Sequence, residues 1–176
     1  MLAQNFDITE AETLRFGYGD STLGIIAVAE SARGLAALFI GNDRRRLLQD
    51  LQDAFPNAEL IADQAGLAPT IAKAAAAVDA PHLVADLPLD LRGSAAETAV
   101  WGALRQIPAG ETRTYGAIAK SLPVTVTPQE VGAACAANRL AVVVPCHRVV
   151  KSDGSISGYR WGVQRKRRLI NMEGVA

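Results

Sequence analysis

A thiol and an imidazole stand side by side in this sequence. Cys146 and His147 follow an apolar run rich in β-branched residues, and Pro145 removes one backbone donor and fixes the chain direction. A thiol at its ordinary pKa is mostly protonated at neutral pH, so a nucleophilic cysteine needs a base, and the base needs an acceptor that orients it. His147 is the candidate base, and Glu173 is the candidate orienting carboxylate. The alternative is a small buried thiol beside a satisfied core histidine.

The backbone limits how the two side chains can interact. Neighbouring residues of an extended segment point to opposite sides, so Cys146 and His147 cannot pair directly if residues 143–150 are extended. A bridging water or a turn at this point is then required.

The composition bounds the class of protein. The 176 residues, nearly half of them apolar, suffice for one large or two small domains. No apolar run has membrane-spanning length, and residues 1–10 lack the features of a signal peptide, so we expect a cytoplasmic protein that binds no membrane. Cys135 and Cys146 are the two cysteines, and neither His82 nor His147 stands at ligand spacing with them. We expect reduced thiols, no metal and no cofactor.

The formal net charge of zero conceals a split between the two halves. Residues 1–100 contain 7 Lys+Arg against 14 Asp+Glu, and residues 101–176 contain 11 against 4, which gives −7 and +7. Such asymmetry indicates either a polyanion partner for the second half or a solvated basic face.

The first half is typical of a small α/β unit. Residues 23–30 and 35–40 predict two strands joined by a turn that contains Gly34. Asp43 can cap a helix that ends near Pro56, and the alanine-rich stretch 69–78 predicts a second helix. We therefore predict an N-terminal α/β domain, residues 1–90, with a small antiparallel sheet and helices and a scaffolding role.

The second half is predicted to be mostly helical. Residues 81–92 connect the two units, and Ser94 with Glu97 forms a capping-box pattern at the next helix. Two short helices follow, over residues 114–120 and from Thr127, which suggests a helix-turn-helix in a domain of residues 91–176. One face of the second helix carries only small side chains, which fits either close helix packing or a nucleic acid backbone.

The end of the chain holds a loop and a helix. Residues 151–162 form a turn-rich loop with two aromatic residues and an arginine, which is suited to a pocket wall. A final helix over residues 163–172 carries the basic run 165–168. We expect this run to be a solvated face or a contact to phosphates.

Several motifs together resemble the O6-alkylguanine-DNA alkyltransferase family, and within it the C-terminal half of the bacterial Ada protein. The resemblance covers nearly the whole chain and is densest from Val100 to Glu173. The matching motifs are Val100-Trp101, Ile107-Pro108-x-Gly110-Glu111-Thr112, Thr114-Tyr115, Ala134-Cys135-Ala136-Ala137-Asn138, Pro145-Cys146-His147-Arg148-Val149-Val150 and Asp153-Gly154-x-x-x-Gly158-Tyr159-Arg160-Trp161-Gly162.

The resemblance implies a fold and a reaction. The first domain would be RNase H-like. The protein would transfer a methyl group from O6-methylguanine, and from O4-methylthymine, in DNA to Cys146, once per molecule. A water would link Cys146 to His147, and Glu173 would hold the histidine. Asn138 would order the turn around the nucleophile, and the Tyr115 hydroxyl would stabilise the departing guanine.

The resemblance also implies how DNA is bound. A monomer would bind double-stranded DNA through the minor groove, with no required protein partner, and would flip the damaged base out of the stack. The implied DNA-binding residues are Tyr115, Gly116, Gln129, Gly132 and Ser152. The implied pocket residues are Val149, Tyr159, Arg160 and Trp161. Since Arg160 and Trp161 are bulky, we expect methyl groups to be accepted readily and benzyl groups poorly.

The sequence departs from the family pattern at one position. The family usually has an arginine at the position of Gln129, where it fills the gap left by the flipped base. Gln129 brings no charge and less reach. We therefore expect slower repair of duplex DNA. Two alternatives stay open: a lesion-binding sensor without transfer activity, and a regulatory fragment of an Ada protein.

Overall fold

A four-stranded sheet forms the first half of the structure. The structure, a computed structural model, describes residues 11–83 and 85–174, so the stretch considered for a signal peptide lies outside the described residues. Strands β1 (Glu12–Ser21), β2 (Gly24–Ser31) and β3 (Gly34–Gly41) form an antiparallel meander. Strand β4 (Ala58–Ala62) pairs with β1 in parallel, giving the order β3-β2-β1-β4. The expectation of an antiparallel sheet is therefore wrong, because β4 makes the sheet mixed.

Two helices pack on this sheet, and both agree with the sequence pattern. Helix α1 (Arg44–Ala54) begins at the Asp43 cap, whose carboxylate accepts hydrogen bonds from the backbone N–H groups of the first turn. It contacts β2 and β3, whereas helix α2 (Ala68–Asp79) contacts β1 and β2. The centres of β2 and β3 are consequently buried on both faces.

Strand β1, which the sequence pattern did not reveal, depends on two glycines. A Cβ atom at Gly17 or Gly19 would lie 2.9 or 2.6 Å from the side chain of Ile71 on α2. The two glycines let the helix approach the strand closely. They also weaken the β-strand pattern of this segment, because glycine has a low strand propensity.

The second half is mostly helical, as expected. Helices α3 (Ala95–Leu104), α4 (Tyr115–Ser121) and α5 (Pro128–Ala137) pack together, and α6 (Val163–Met172) ends the unit. Strands β5 (Arg113–Thr114) and β6 (Val149–Val150) form a short parallel pair. The capping boxes that begin α3 and α5 are both present. Within the described ranges, no helix is both long enough and apolar enough to cross a bilayer.

The two halves meet at the outer edge of β3. Leu38 forms a parallel bridge with Leu140, whose segment follows α5, and Leu35 forms one with Leu89 of the connecting segment. The backbone N–H of Leu38 donates to the carbonyl of Arg139 at 2.8 Å, and Ala141 donates back at 3.0 Å. The second half thus covers backbone groups that an edge strand would otherwise expose.

Helix α6 is also fixed to the sheet, through its basic run. Arg165 Nε donates to the carbonyl of Leu23 at 2.7 Å, and Arg168 donates to that of Thr22 at 2.9 Å. Lys166 is completely buried. The expectation that residues 165–168 form a solvated or phosphate-binding face is therefore wrong for Lys166, and Arg165 is half-buried, whereas Arg167 and Arg168 are exposed. Part of the positive charge of the second half thus serves internal contacts.

Candidate active site

Cys146 lies at a pocket of about 390 Å³ between α5 and the loop before α6. Cys146 is 3% exposed, and it lines this opening. The pocket lining consists of Tyr115, Gly132, Cys135, Ala136, Cys146, Gly158, Tyr159 and Arg160.

The segment before the thiol is a compact turn. Residues 143–150 are not extended throughout, because Cys146–Arg148 forms one turn of 3₁₀-helix. The turn does not bring the two side chains into a hydrogen bond, because Nδ1 of His147 has no partner among the described residues. Val142 has φ 68°, a left-handed conformation that is costly for a β-branched residue. Surrounding contacts must hold it there.

Asn138 supplies those contacts. Its side chain accepts from the backbone N–H of Leu140 at 2.9 Å and donates to the carbonyl of Val144 at 3.0 Å, so it closes the turn from both ends. The same Nδ2 atom lies 3.3 Å from Sγ of Cys146. Asn138 is 1% exposed, and these hydrogen bonds satisfy a buried amide.

His147 and Glu173 form a buried pair. Nε2 of His147 lies 2.7 Å from Oε1 of Glu173, and because a carboxylate only accepts, Nε2 carries the proton. Nδ1 of His147 is buried and has no hydrogen-bond partner among the described residues. This nitrogen is therefore the one with a lone pair free to accept a proton.

Arg148 completes this buried cluster. Its guanidinium donates to Glu173 at 2.7 Å and to the carbonyls of Ile107 and Pro81 at 2.7 and 3.1 Å. It therefore neutralises the Glu173 carboxylate and ties the last turn of α6 to the segment that connects the two halves. No pattern in the sequence singled out this arginine beyond its place in the Pro-Cys-His-Arg motif.

The pKa values of Cys146 and His147 do not favour proton transfer from the thiol to the imidazole in the free protein. Burial raises the pKa of the Cys146 thiol to about 11, although Asn138, Lys166 and Arg160 act in the opposite direction. Burial also lowers the pKa of His147, more strongly than Glu173 raises it. For Glu173, burial raises the pKa, but hydrogen bonds from His147 and Arg148 outweigh it and the net pKa is lowered. At neutral pH the cluster therefore holds a thiol, a neutral imidazole and a carboxylate.

A second polar chain reaches the pocket from α6. Lys166 Nζ donates to the Ser157 hydroxyl at 3.0 Å, and that hydroxyl forms a short hydrogen bond with the Tyr115 hydroxyl. Burial lowers the pKa of Lys166 and raises that of Tyr115. Tyr115 is thus protonated at neutral pH and can act as a donor at the pocket, with a cationic group behind it.

The expected pocket residues divide into two groups. Tyr159 and Arg160 line the pocket. Val149 is fully buried in β6, and Trp161 is 7% exposed and packs edge-on against Tyr159, so both lie behind the wall. Arg160 donates to the backbone carbonyl of Asn138 at 2.8 Å.

The residues expected to bind DNA lie on α4, α5 and one turn. Gln129 is exposed at the start of α5, and Ser152 is exposed in the turn after β6. Gly116 on α4 faces open space, whereas Gly132 on α5 lies beside the Tyr115 ring. Glu130 caps its own helix by accepting from the Thr127 N–H and hydroxyl, so its charge is engaged at the helix start.

Three residues near the thiol were not among the site residues predicted from the sequence: Ser157, Lys166 and Cys135. A signal existed for Lys166, because it precedes the buried Leu169 and Ile170 by three and four residues and so shares their helix face. Ser157 lies in the loop predicted as a pocket wall and Cys135 in one of the motifs that resemble the family, but neither residue was assigned a role there.

The comparisons with known proteins agree with this fold and site. Residues 95–175 match the family described as 6-O-methylguanine DNA methyltransferase, DNA binding domain. The chain is 32% identical over 149 residues to the inducible methylated-DNA–protein-cysteine methyltransferase of Bacillus subtilis, covering 83% of this chain and 82% of that protein. It also resembles the crystal structure of Mycobacterium tuberculosis OGT in complex with DNA, with a TM-score of 0.74 and 32% identity over 90% of this chain and 92% of that one. The chain belongs to the methylated-DNA–protein-cysteine methyltransferase family.

Within this family the expected resemblance to Ada is confirmed. The chain is 41% identical over 160 residues to the bifunctional transcriptional activator/DNA repair enzyme Ada of Escherichia coli (strain K12), which covers 91% of this chain and 45% of Ada. The chain therefore spans about half the length of the Ada relatives that it matches.

Proposed function

We propose that this protein repairs DNA by moving one methyl group from the O6 atom of guanine, or the O4 atom of thymine, to Sγ of Cys146. The observation that carries the proposal is the thiol at an open pocket together with the buried His147–Glu173 pair. The names of the relatives describe transfer from methylated DNA to a protein cysteine. The product is a stable thioether, so each molecule acts once.

The reaction begins with the thiol proton. Nδ1 of His147 accepts it through a water, which the family resemblance implies, and Glu173 stabilises the resulting imidazolium. The thiolate then attacks the methyl carbon, the S–C bond forms, and the bond from that carbon to O6 breaks with its electron pair left on guanine. Asn138 donates a hydrogen bond to the thiolate and keeps Sγ in position.

The departing guanine needs stabilisation because it leaves with negative charge. Tyr115 donates its hydroxyl toward the ring nitrogens, and the Lys166 cation lies behind Tyr115 through Ser157. Such donors stabilise charge most effectively where water is excluded.

DNA is the proposed partner, bound as a duplex by a monomer that needs no other protein. Helices α4 and α5 act as a helix-turn-helix that enters the minor groove, and the small side chains of α5 allow close approach. Gly116, Gly132, Ser152 and Gln129 lie along the DNA, and the damaged base leaves the stack to reach the pocket. Residues 91–176 form the DNA-binding unit, and residues 1–90 form its scaffold.

Two features restrict this function. Gln129 lacks the charge and the reach of the usual arginine, which slows base flipping in duplex DNA. Arg160 at the pocket, with Trp161 behind it, favours methyl over benzyl groups. Free O6-benzylguanine should therefore inactivate the protein slowly, and rapid inactivation would contradict this part of the proposal.

Intact-mass spectrometry after incubation with a duplex that contains one O6-methylguanine tests the proposal. The expected result is the addition of one methyl group, which peptide mapping assigns to Cys146. Cys146→Ser should abolish the addition, and Cys135→Ser, which changes the other pocket thiol, should retain it. Binding of the lesion without a mass change would instead indicate a sensor, an alternative that the intact Cys146 disfavours.

A regulatory role is the remaining alternative, and the similarity to the regulatory Ada proteins motivates it. The same incubation separates it from repair: transfer so slow that the duplex stays largely unrepaired, together with tight binding of DNA by the methylated form, would indicate regulation.

A further inference from the structure

One aromatic residue of the N-terminal sheet contacts the wall of the thiol pocket. Phe39 is 1% exposed and lies in β3, next to Leu38, which is bridged to Leu140. Its ring centroid lies 4.9 Å from the guanidinium carbon of Arg160 and 6.2 Å from the ring of Trp161.

Arg160 is thereby held on three sides. Its guanidinium lies over the Phe39 ring and, at 5.6 Å, over the Trp161 ring, and it donates to the Asn138 carbonyl at 2.8 Å. Cation–π contacts with two rings and one hydrogen bond fix a side chain that would otherwise move freely at the surface. Arg160 and Cys146 line the same pocket, so the position of the Arg160 side chain affects the space available beside the thiol.

We infer that Phe39 is a specificity-determining residue that acts through Arg160: the N-terminal sheet limits the size of the alkyl group that the pocket accepts. The inference rests on the proposed transfer to Cys146 and assigns the first half of the chain a role in substrate choice. Phe39 touches neither substrate nor thiol, so it is a positioning residue.

The ratio of benzyl to methyl transfer tests this role. Both groups are placed on O6 of one guanine in the same duplex, so that DNA binding cancels in the ratio. Phe39→Leu keeps an apolar side chain but removes the aromatic face, and it should raise the ratio about fivefold to tenfold. Phe16→Leu is the matched control, since Phe16 is a buried phenylalanine of the same sheet that packs on Tyr18 and does not line the pocket; it should leave the ratio unchanged.

A double-mutant cycle separates positioning from loss of stability. Arg160→Ala should raise the ratio by itself, and adding Phe39→Leu to it should produce no further change, because the residue through which Phe39 acts is gone. A merely structural role of Phe39 would lower both rates together and leave the ratio constant in every background. That result would overturn the inference.

A second measurement does not require repair activity. Iodoacetamide and N-benzyliodoacetamide differ in size and react with thiols, and mass spectrometry of the Cys146 peptide reports their relative rates. Phe39→Leu should raise the relative rate of the bulky reagent. A shift here without methyl transfer from DNA would contradict the proposed function but support the role of Phe39, whereas methyl transfer with both ratios unchanged would overturn the role of Phe39 alone.

Discussion

Nδ2 of Asn138 lies 3.3 Å from Sγ of Cys146, and the same side chain closes the turn from Leu140 to Val144. One amide thus tunes the thiolate and holds the strained backbone that presents it.

Replacing Asn138 by alanine should affect both properties. A hydrogen bond to a charged group contributes about 1.5–3 kcal/mol, so the thiolate population and the transfer rate should fall about tenfold to a hundredfold. The free energy of unfolding should fall by about 2 kcal/mol, because buried backbone groups lose their partners. Single-turnover transfer kinetics and urea unfolding measure the two effects. Asn171→Ala, at an exposed position of α6, should change neither; a full rate in Asn138→Ala would refute the role of this amide.

The pH dependence of the rate should report His147 as the base. Its pKa is lowered from 6.5, so it stays neutral at neutral pH and loses its function only when the pH falls below about 6.5. Without it, transfer depends on the free thiolate, whose fraction rises about tenfold per pH unit up to the thiol pKa of about 11.

His147→Gln should therefore be slow at neutral pH and accelerate steeply in base, which transfer rates from about pH 5 to about pH 9 would reveal. His82→Gln, at an exposed histidine, should follow the wild-type profile. A transfer rate of His147→Gln that does not change with pH would contradict the role of His147 as the base that accepts the thiol proton.

Glu173→Gln should destabilise the fold strongly. The change leaves Arg148, which is 8% exposed, without its anionic partner, and breaking a buried pair in this way costs about 3–5 kcal/mol. Glu111→Gln is the control: its carboxylate is exposed and 3.6 Å from Arg113, so removal should cost no more than about 1 kcal/mol. Denaturant unfolding at neutral pH measures both changes.

The same variant has a defined acid dependence. The folded-state pKa of Glu173 is lowered from 4.5, so its contribution to stability is complete above about that value and is lost as the pH falls through the folded pKa. The difference in unfolding free energy between wild type and Glu173→Gln should therefore shrink below pH 4.5. A difference that grows in acid would contradict the charge-pair explanation.

Gln129→Arg should accelerate repair of duplex DNA. The longer cationic side chain should fill the gap left by the flipped base and should add one charge that attracts phosphate. The second-order rate constant should therefore rise, and the slope of its logarithm against the logarithm of the salt concentration should become steeper by about one. Gln49→Arg on α1 adds the same charge on the N-terminal unit and controls for net charge. An unchanged rate in Gln129→Arg would show that Gln129 does not slow the repair of duplex DNA.

Local signals made the helices predictable. Asp43, Ser94 and Thr127 each mark a helix start through their own hydrogen bonds to the first turn, so α1, α3 and α5 begin where the sequence indicates. The parallel strand β4 was missed because its pairing with β1 depends on contacts far along the chain. The proposed catalytic groups followed from motif resemblance, whereas spacing alone did not predict their geometry.

Two segments depart from what their local composition favours, for the same physical reason. The run before Cys146 is rich in β-branched residues, yet Asn138 and tertiary packing hold Val142 at φ 68°. The basic run in α6 suggested solvation, yet Lys166 lies on the buried face and bonds Ser157. In both segments tertiary contacts override what local composition favours.

The bridge between Leu38 and Leu140 has a consequence for folding. These residues are about 100 positions apart, so the chain closes a large loop when this bridge forms, and such non-local pairing slows folding. During synthesis, β3 is complete long before its neighbour exists. Its open edge is then a template for pairing with another nascent chain, which makes this edge an aggregation hazard until the second half of the chain covers it.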